Sequence, residues 1–265
     1  MSSVRPAAVA GLFYPGEADT LRRTLDDLLA TADAGPAAPA PKALIVPHAG
    51  YAYSGATAAR AYRLLAPLRG TVRRVLLIGP AHRVWLEGLA TPAAEAFATP
   101  LGRVPVDREA IESIAGLPGV QVSDAVHAGE HSLEVQLPFL QRMLGDFSAV
   151  PIAVGVCPAD RVAAVVEALW DGAETLIVVS SDLSHYLDYE RARVVDSRTR
   201  DRILEHATNL TEREACGARA INGLMRSDGA RALDVEVVDL RNSGDTAGDR
   251  HRVVGYGSFA LRRGG

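Results

Sequence analysis

Three histidines in this chain each follow a short apolar run by a few residues. They are His48 in Pro47-His48-Ala49-Gly50-Tyr51, His82 in Gly79-Pro80-Ala81-His82, and His185 in Ser180-Ser181-Asp182-Leu183-Ser184-His185. The runs before them, Ala43 to Val46, Val75 to Ile78 and Leu176 to Val179, are continuous and apolar, as strands buried on both faces require. Parallel strands of an α/β sheet end on one shared edge, so these imidazoles can converge in a crevice. Neutral imidazole is the commonest metal ligand, and a mononuclear metal site is the chemistry the pattern points to. A single loop histidine is more simply read as a hydrogen-bonding group; its recurrence at three strand ends is the argument for a shared site.

Other polar residues could complete such a site. Asp182 stands three residues before His185 and shares its side if Ser181 caps a helical turn, although Asp182 could itself be only a cap and His185 a buried side chain. Either Asp182 or Asp245, the latter in Ser243-Gly244-Asp245-Thr246, could supply the carboxylate of a two-histidine, one-carboxylate iron(II) site, while Asp245 could equally form an Asx turn. Closed histidine-rich sets suit zinc instead. Glu130 and His131 open a stretch, Ala128 to Leu140, that turns from polar to apolar, where they contact a substrate, support a metal ligand, or serve only as capping or solvated groups. Ser132 is a fair cap there, and Pro138 requires a kink or a later helix start. His127, His206 and His251 have weaker contexts, and Ser54 lacks the glycine pattern of a nucleophile elbow.

The elements that position these residues read as alternating β and α. Leu21, Leu25, Leu28 and Leu29 form one face of an amphipathic helix capped by Asp19 or Thr20. A further strand spans Ala149 to Val154, and helical patterns cover Ala56 to Leu65, Arg108 to Ile114, Arg161 to Trp170 and Tyr189 to Ile203. Two last strands, Ala232 to Leu240 and Val253 to Leu261, flank the loop from Asn242 to Arg252; their relative direction is open. This predicts an α/β fold, one domain over residues 1–265, with a mostly parallel central sheet flanked by helices. The Ala/Pro/Gly stretch from Ala32 to Pro41 reads as a surface loop.

Composition narrows the function. The chain has 265 residues, 48% of them hydrophobic, which suffices for one large core. Its 28 basic and 32 acidic residues include no basic run, which argues against nucleic acid and leaves small molecules or proteins as partners. Cys157 and Cys216 form no CxxC pair, so neither a zinc knuckle nor a disulfide framework is expected. No signal-like or membrane-spanning run occurs, and a cytoplasmic location is the expectation.

The combination of Arg5 to Pro15, Pro47 to Gly55, Gly79 to His82, Glu130 to Pro138 and Ser180 to His185 resembles the Memo family, whose prokaryotic members are called AmmeMemoRadiSam system protein B. The motifs occur in order along nearly the whole chain. The resemblance implies a fold similar to class III extradiol ring-cleaving dioxygenases, with iron(II) as the expected metal and copper or zinc as alternatives. It implies His48 and His82 as metal ligands, His185 as acid/base, His131 as a second active-site histidine and Asp182 as a residue lining the site. Animal Memo proteins place a cysteine in the loop before the last strand; this chain has none there, which removes much of the reason to expect copper and leaves Asp245 or water as third ligand. The implied function is metal binding with dioxygenase-like or other redox activity on an unknown small molecule, the alternative being a metal- or peptide-binding module without turnover. Metal-dependent hydrolysis ranks last. The group's name implies a pathway shared with radical SAM and AMMECR-type proteins.

Overall fold

A computed structural model describes residues 3–32, 39–170 and 172–264. The surface loop expected from Ala32 to Pro41 falls mostly outside the described residues. Along the chain run β1 (Val4–Arg5), α1 (Ala18–Thr31), β2 (Ala43–Val46), α2 (Tyr51–Arg63), β3 (Arg74–Pro80), β4 (Leu89–Thr91), β5 (Ala96–Thr99), β6 (Gly102–Pro105), α3 (Arg108–Ile114), β7 (Val120–Val122), α4 (Asp124–Ala128), α5 (Leu137–Leu144), β8 (Ser148–Val154), α6 (Ala159–Ala168), β9 (Thr175–Ser180), β10 (His185–Leu187), α7 (Tyr189–Leu204), α8 (Ala218–Arg226), α9 (Asp228–Arg231), β11 (Asp234–Asn242) and β12 (Val253–Arg262).

The main sheet has the order β10-β12-β2-β9-β3-β8-β4-β7, with β11 paired to β12. Its centre, β2-β9-β3-β8, is parallel, while β12 runs antiparallel to β2 and β11 antiparallel to β12. Leu44, Ile45, Leu76, Leu77, Val178 and Val179 are all buried, which is why these strands show no polar alternation. The helix α1 packs through Leu21, Leu25 and Leu29 and starts at Ala18, slightly earlier than the expected cap. Pro138 marks a later helix start: a 3₁₀ turn over Glu134–Gln136 leads into α5, with the proline in the first turn, where its missing N–H costs nothing. Among the described residues, no helix is long and apolar enough to cross a membrane.

Register sets the height of the site. Val46 of β2 pairs with Ser180 of β9, Val179 with Ile78 of β3, and Pro80 with Val154 of β8. The chain therefore leaves all four strands at nearly one level, and the polar segments after them meet. The segment after β9 departs from expectation. Ser181 to Ser184 form no helical turn; Leu183 N donates to Gly255 O at 2.8 Å and Gly255 N to Ser184 O at 2.8 Å, drawing the backbone out into β10 beside β12. A register irregularity follows between His185 and Leu187, where Tyr186 takes a positive φ of 61°.

Candidate metal centre

His48 and His82, from the ends of β2 and β3, meet His131 from the turn before α5. One ligand nitrogen from each lies within 4.8 Å of the others. The rings of His82 and His131 stack with centroids 4.8 Å apart, and His48 stands edge-on to both, at 5.2 and 5.4 Å. Gly79 permits the third ring to approach. A Cβ there would lie 2.9 Å from Leu133 and 3.0 Å from the Ser132 hydroxyl, so a side chain on β3 would push the His131 segment away.

Hydrogen bonds fix the tautomers. The Ser180 hydroxyl donates to Ser132 O at 2.6 Å, so its oxygen accepts from Gln136 Nε2 and from His48 Nδ1, each at 2.8 Å. His48 Nδ1 therefore carries the proton and Nε2 the lone pair. Glu130 does the same for His82: its Oε1 takes Nδ1 at 3.0 Å and its Oε2 the backbone N–H at 2.6 Å. The same carboxylate accepts the N–H groups of His131 and Ser132, and its Oε1 lies 3.4 Å from His131 Nδ1. Burial pushes the Glu130 pKa up, but the hydrogen bond and charge of His82, with the backbone donors, outweigh it and hold the carboxyl well below its ordinary range. Desolvation lowers His48 far below the usual histidine value and His131 to about 4, the neighbouring imidazoles adding to the first. Both are neutral near pH 7, the state a metal requires.

Asp182 is buried and does not present its carboxylate to the ring nitrogens. Its Oδ1 accepts His48 N at 2.7 Å, bracing the backbone at His48, and burial raises its pKa to about 6. His185 stands outside the three-histidine group. Its Nδ1 meets Leu183 O at 2.8 Å and must donate to it, so Nε2 is left as a base. Asp245 is not brought to the histidines. It is exposed, caps the 3₁₀ turn Ser243–Asp245 by accepting Asn242 N, and receives the Tyr189 hydroxyl, so the turn reading of that segment describes its place. The third side chain that joins His48 and His82 is the imidazole of His131 and not a carboxylate.

Cys216 escaped the sequence reading. Its Sγ lies 3.3 Å from His48 Nε2 and 3.3 Å from Asp182 N. Gly217 lets its loop settle over the end of β9, since a Cβ would lie 2.7 Å from Ser180 O. His82, His185 and Cys216 border a cavity of about 950 Å³.

The donor set fits a divalent transition metal: three imidazoles, two of them oriented through Nδ1 by a hydroxyl or a carboxylate, at a cavity wall. Fold and site thus define an α/β protein with a three-histidine centre at the carboxyl edge of a parallel sheet. Comparison with known proteins gives the family. The model of the family described as Memo-like protein matches residues 5–260. MEMO1 family proteins of Methanopyrus kandleri and Aquifex aeolicus are 34% and 36% identical, over 98% and 96% of this chain and 99% and 97% of their own. One from Archaeoglobus fulgidus is 34% identical over 98% of this chain and 100% of its own. The chain belongs to the Memo family. The crystal structure of an uncharacterized protein from Escherichia coli K12 shares the fold, with a TM-score of 0.51 and 14% identity over 82% of this chain and 98% of that one.

Proposed function

We propose that this Memo family protein is a non-haem iron(II) oxidoreductase, its metal held by His48, His82 and His131 and its small-molecule substrate bound in the adjoining cavity. The observation that carries the reading is the convergence of three imidazole nitrogens within 4.8 Å, beside an open cavity. When bound, iron(II) with free positions supplies redox chemistry with dioxygen. The chain supplies the rest. Ser180 and Glu130 hold His48 and His82 through Nδ1, leaving the lone pair on Nε2, and Phe13 packs its ring 4.7 Å from that of His131. His185, its Nδ1 occupied by Leu183 O, takes a proton at Nε2 from a substrate hydroxyl in the cavity.

The test is metal analysis of anaerobically purified protein beside the His48→Ala/His82→Ala double variant. Near-stoichiometric iron that vanishes in the variant supports the reading, and oxygen uptake with catechol-type substrates then tests turnover. His185→Gln is expected to keep the metal and lose turnover. No metal in either form, even after iron(II) is added, would refute the centre.

A further inference from the structure

The cavity beside the histidines has a charge pattern of its own. Three arginines, Arg191, Arg213 and Arg219, and two glutamates, Glu212 and Glu214, line it, with Leu86 and Val156 among its apolar lining; Arg191 and Arg213 are exposed. Both carboxylates are already spoken for: Glu212 pairs with Arg219, and Glu214 with Arg202 while also accepting the N–H and hydroxyl of Thr211. Among the described residues, no ion pair or side-chain hydrogen bond engages the guanidinium of Arg191 or Arg213. Two arginines without an ion-pair partner thus line one cavity in a chain whose net charge is −4, so the local excess runs against the overall balance. A guanidinium offers paired N–H donors that match a carboxylate or phosphate. At about 950 Å³ the space is at the upper end of small-ligand pockets, enough for a substituted ring.

We infer that this cavity recognises an organic anion, a carboxylate or phosphate on an apolar ring-sized body, through Arg191 and Arg213. The other end of the ligand lies at His82 and His185. That second placement rests on the metal-centre reading above, whereas the anion recognition does not.

Calorimetric titration of the full chain tests it, with 3,4-dihydroxybenzoate, its neutral amide 3,4-dihydroxybenzamide, and phenyl phosphate. Each is titrated into wild type and Arg191→Gln/Arg213→Gln, chelator-treated and, separately, anaerobically loaded with iron(II). The expected result is benzoate binding at least about tenfold tighter than the amide in wild type, with the ratio falling to near unity in the variant. Circular dichroism checks that the variant is folded. Phenyl phosphate tighter than the benzoate assigns a phosphate ligand; the reverse assigns a carboxylate. An anion preference that holds with no effect of iron leaves this inference standing and counts against the metal centre. Iron-dependent binding of acid and amide alike does the opposite. Equal affinities in wild type, a preference that survives the double substitution, or no binding by any anion would overturn the inference.

Discussion

Sγ of Cys216 lies 3.3 Å from Nε2 of His48, the nitrogen that carries the lone pair once Nδ1 has donated to Ser180. A thiol in that position donates its proton to the nitrogen a metal would use. Burial, then the Asp182 charge, push the thiol up to about 12, so it is neutral near pH 7. Cys216 is therefore expected to yield to a bound metal rather than to ligate it, and Cys216→Ala to bind cobalt(II) as tightly as wild type or up to about tenfold tighter. Neither protein should show a thiolate-to-cobalt charge-transfer band in the near ultraviolet. Such a band in wild type, absent from the variant, would make Cys216 a ligand and refute this account.

Glu130 gathers His82 Nδ1 and three backbone N–H groups onto one carboxylate. It thereby sets the orientation of one candidate ligand and the backbone of another. Glu130→Gln keeps an acceptor oxygen but loses the charge that makes His82 a better donor, and an affinity loss of about 10- to 100-fold for metal is expected. A competitive titration against a chromophoric chelator measures it. Unchanged affinity would mean that the carboxylate has only a folding role.

How far the sequence revealed this site depends on where each residue's partner lies. His48 and His82 are legible because a strand end is a local signal, and β2 and β3 put both on one edge. Cys216 is not, since the histidine it touches is 168 positions away and nothing near it in sequence marks the contact. Asp245 misleads because a carboxylate in a glycine-containing turn satisfies backbone N–H groups as readily as it binds a metal, and here it does the former. The helical turn expected over Asp182 to His185 fails because Leu183 and Ser184 bond to Gly255 of β12, a long-range pairing that local spacing cannot show. The parallel sheet itself was readable from its unbroken apolar runs; the direction of β11 and β12 was not, because direction is a property of pairing.

The N-terminal segment is held by a buried carboxylate. Glu134 pairs with Arg5 and accepts Ala8 N at 2.8 Å, Val9 N at 3.0 Å and the Tyr14 hydroxyl at 2.6 Å. The same segment carries Phe13 to its place against His131. Glu134→Ala strands a buried guanidinium and several donors, and a loss of about 3–5 kcal/mol is expected in denaturant unfolding. Arg5→Met with Glu134→Leu removes both charges and is expected to cost less than the sum of Arg5→Met and Glu134→Leu alone. Additive losses would show that the two residues contribute independently.

Asp196 of α7 gives the fold a defined response to pH. It is buried, with Oδ1 accepting Ser184 N at 3.0 Å, and desolvation raises its pKa from 3.8 to about 6 against the opposing effect of that hydrogen bond. The folded state thus holds this proton more tightly than the unfolded chain. As pH rises from 3.8 through about 6 the unfolded chain gives it up first, so stability falls across that window and stays lowered above it, by roughly 3 kcal/mol for this group. Asp196→Asn retains an acceptor for Ser184 N and has no charge to bury. It is expected to melt higher than wild type at about pH 7.5, with the gap closing as pH is lowered to about 4 and below, where both side chains are neutral. Melting curves across that range decide it: a gap that does not change with pH would place the effect in packing rather than in ionisation.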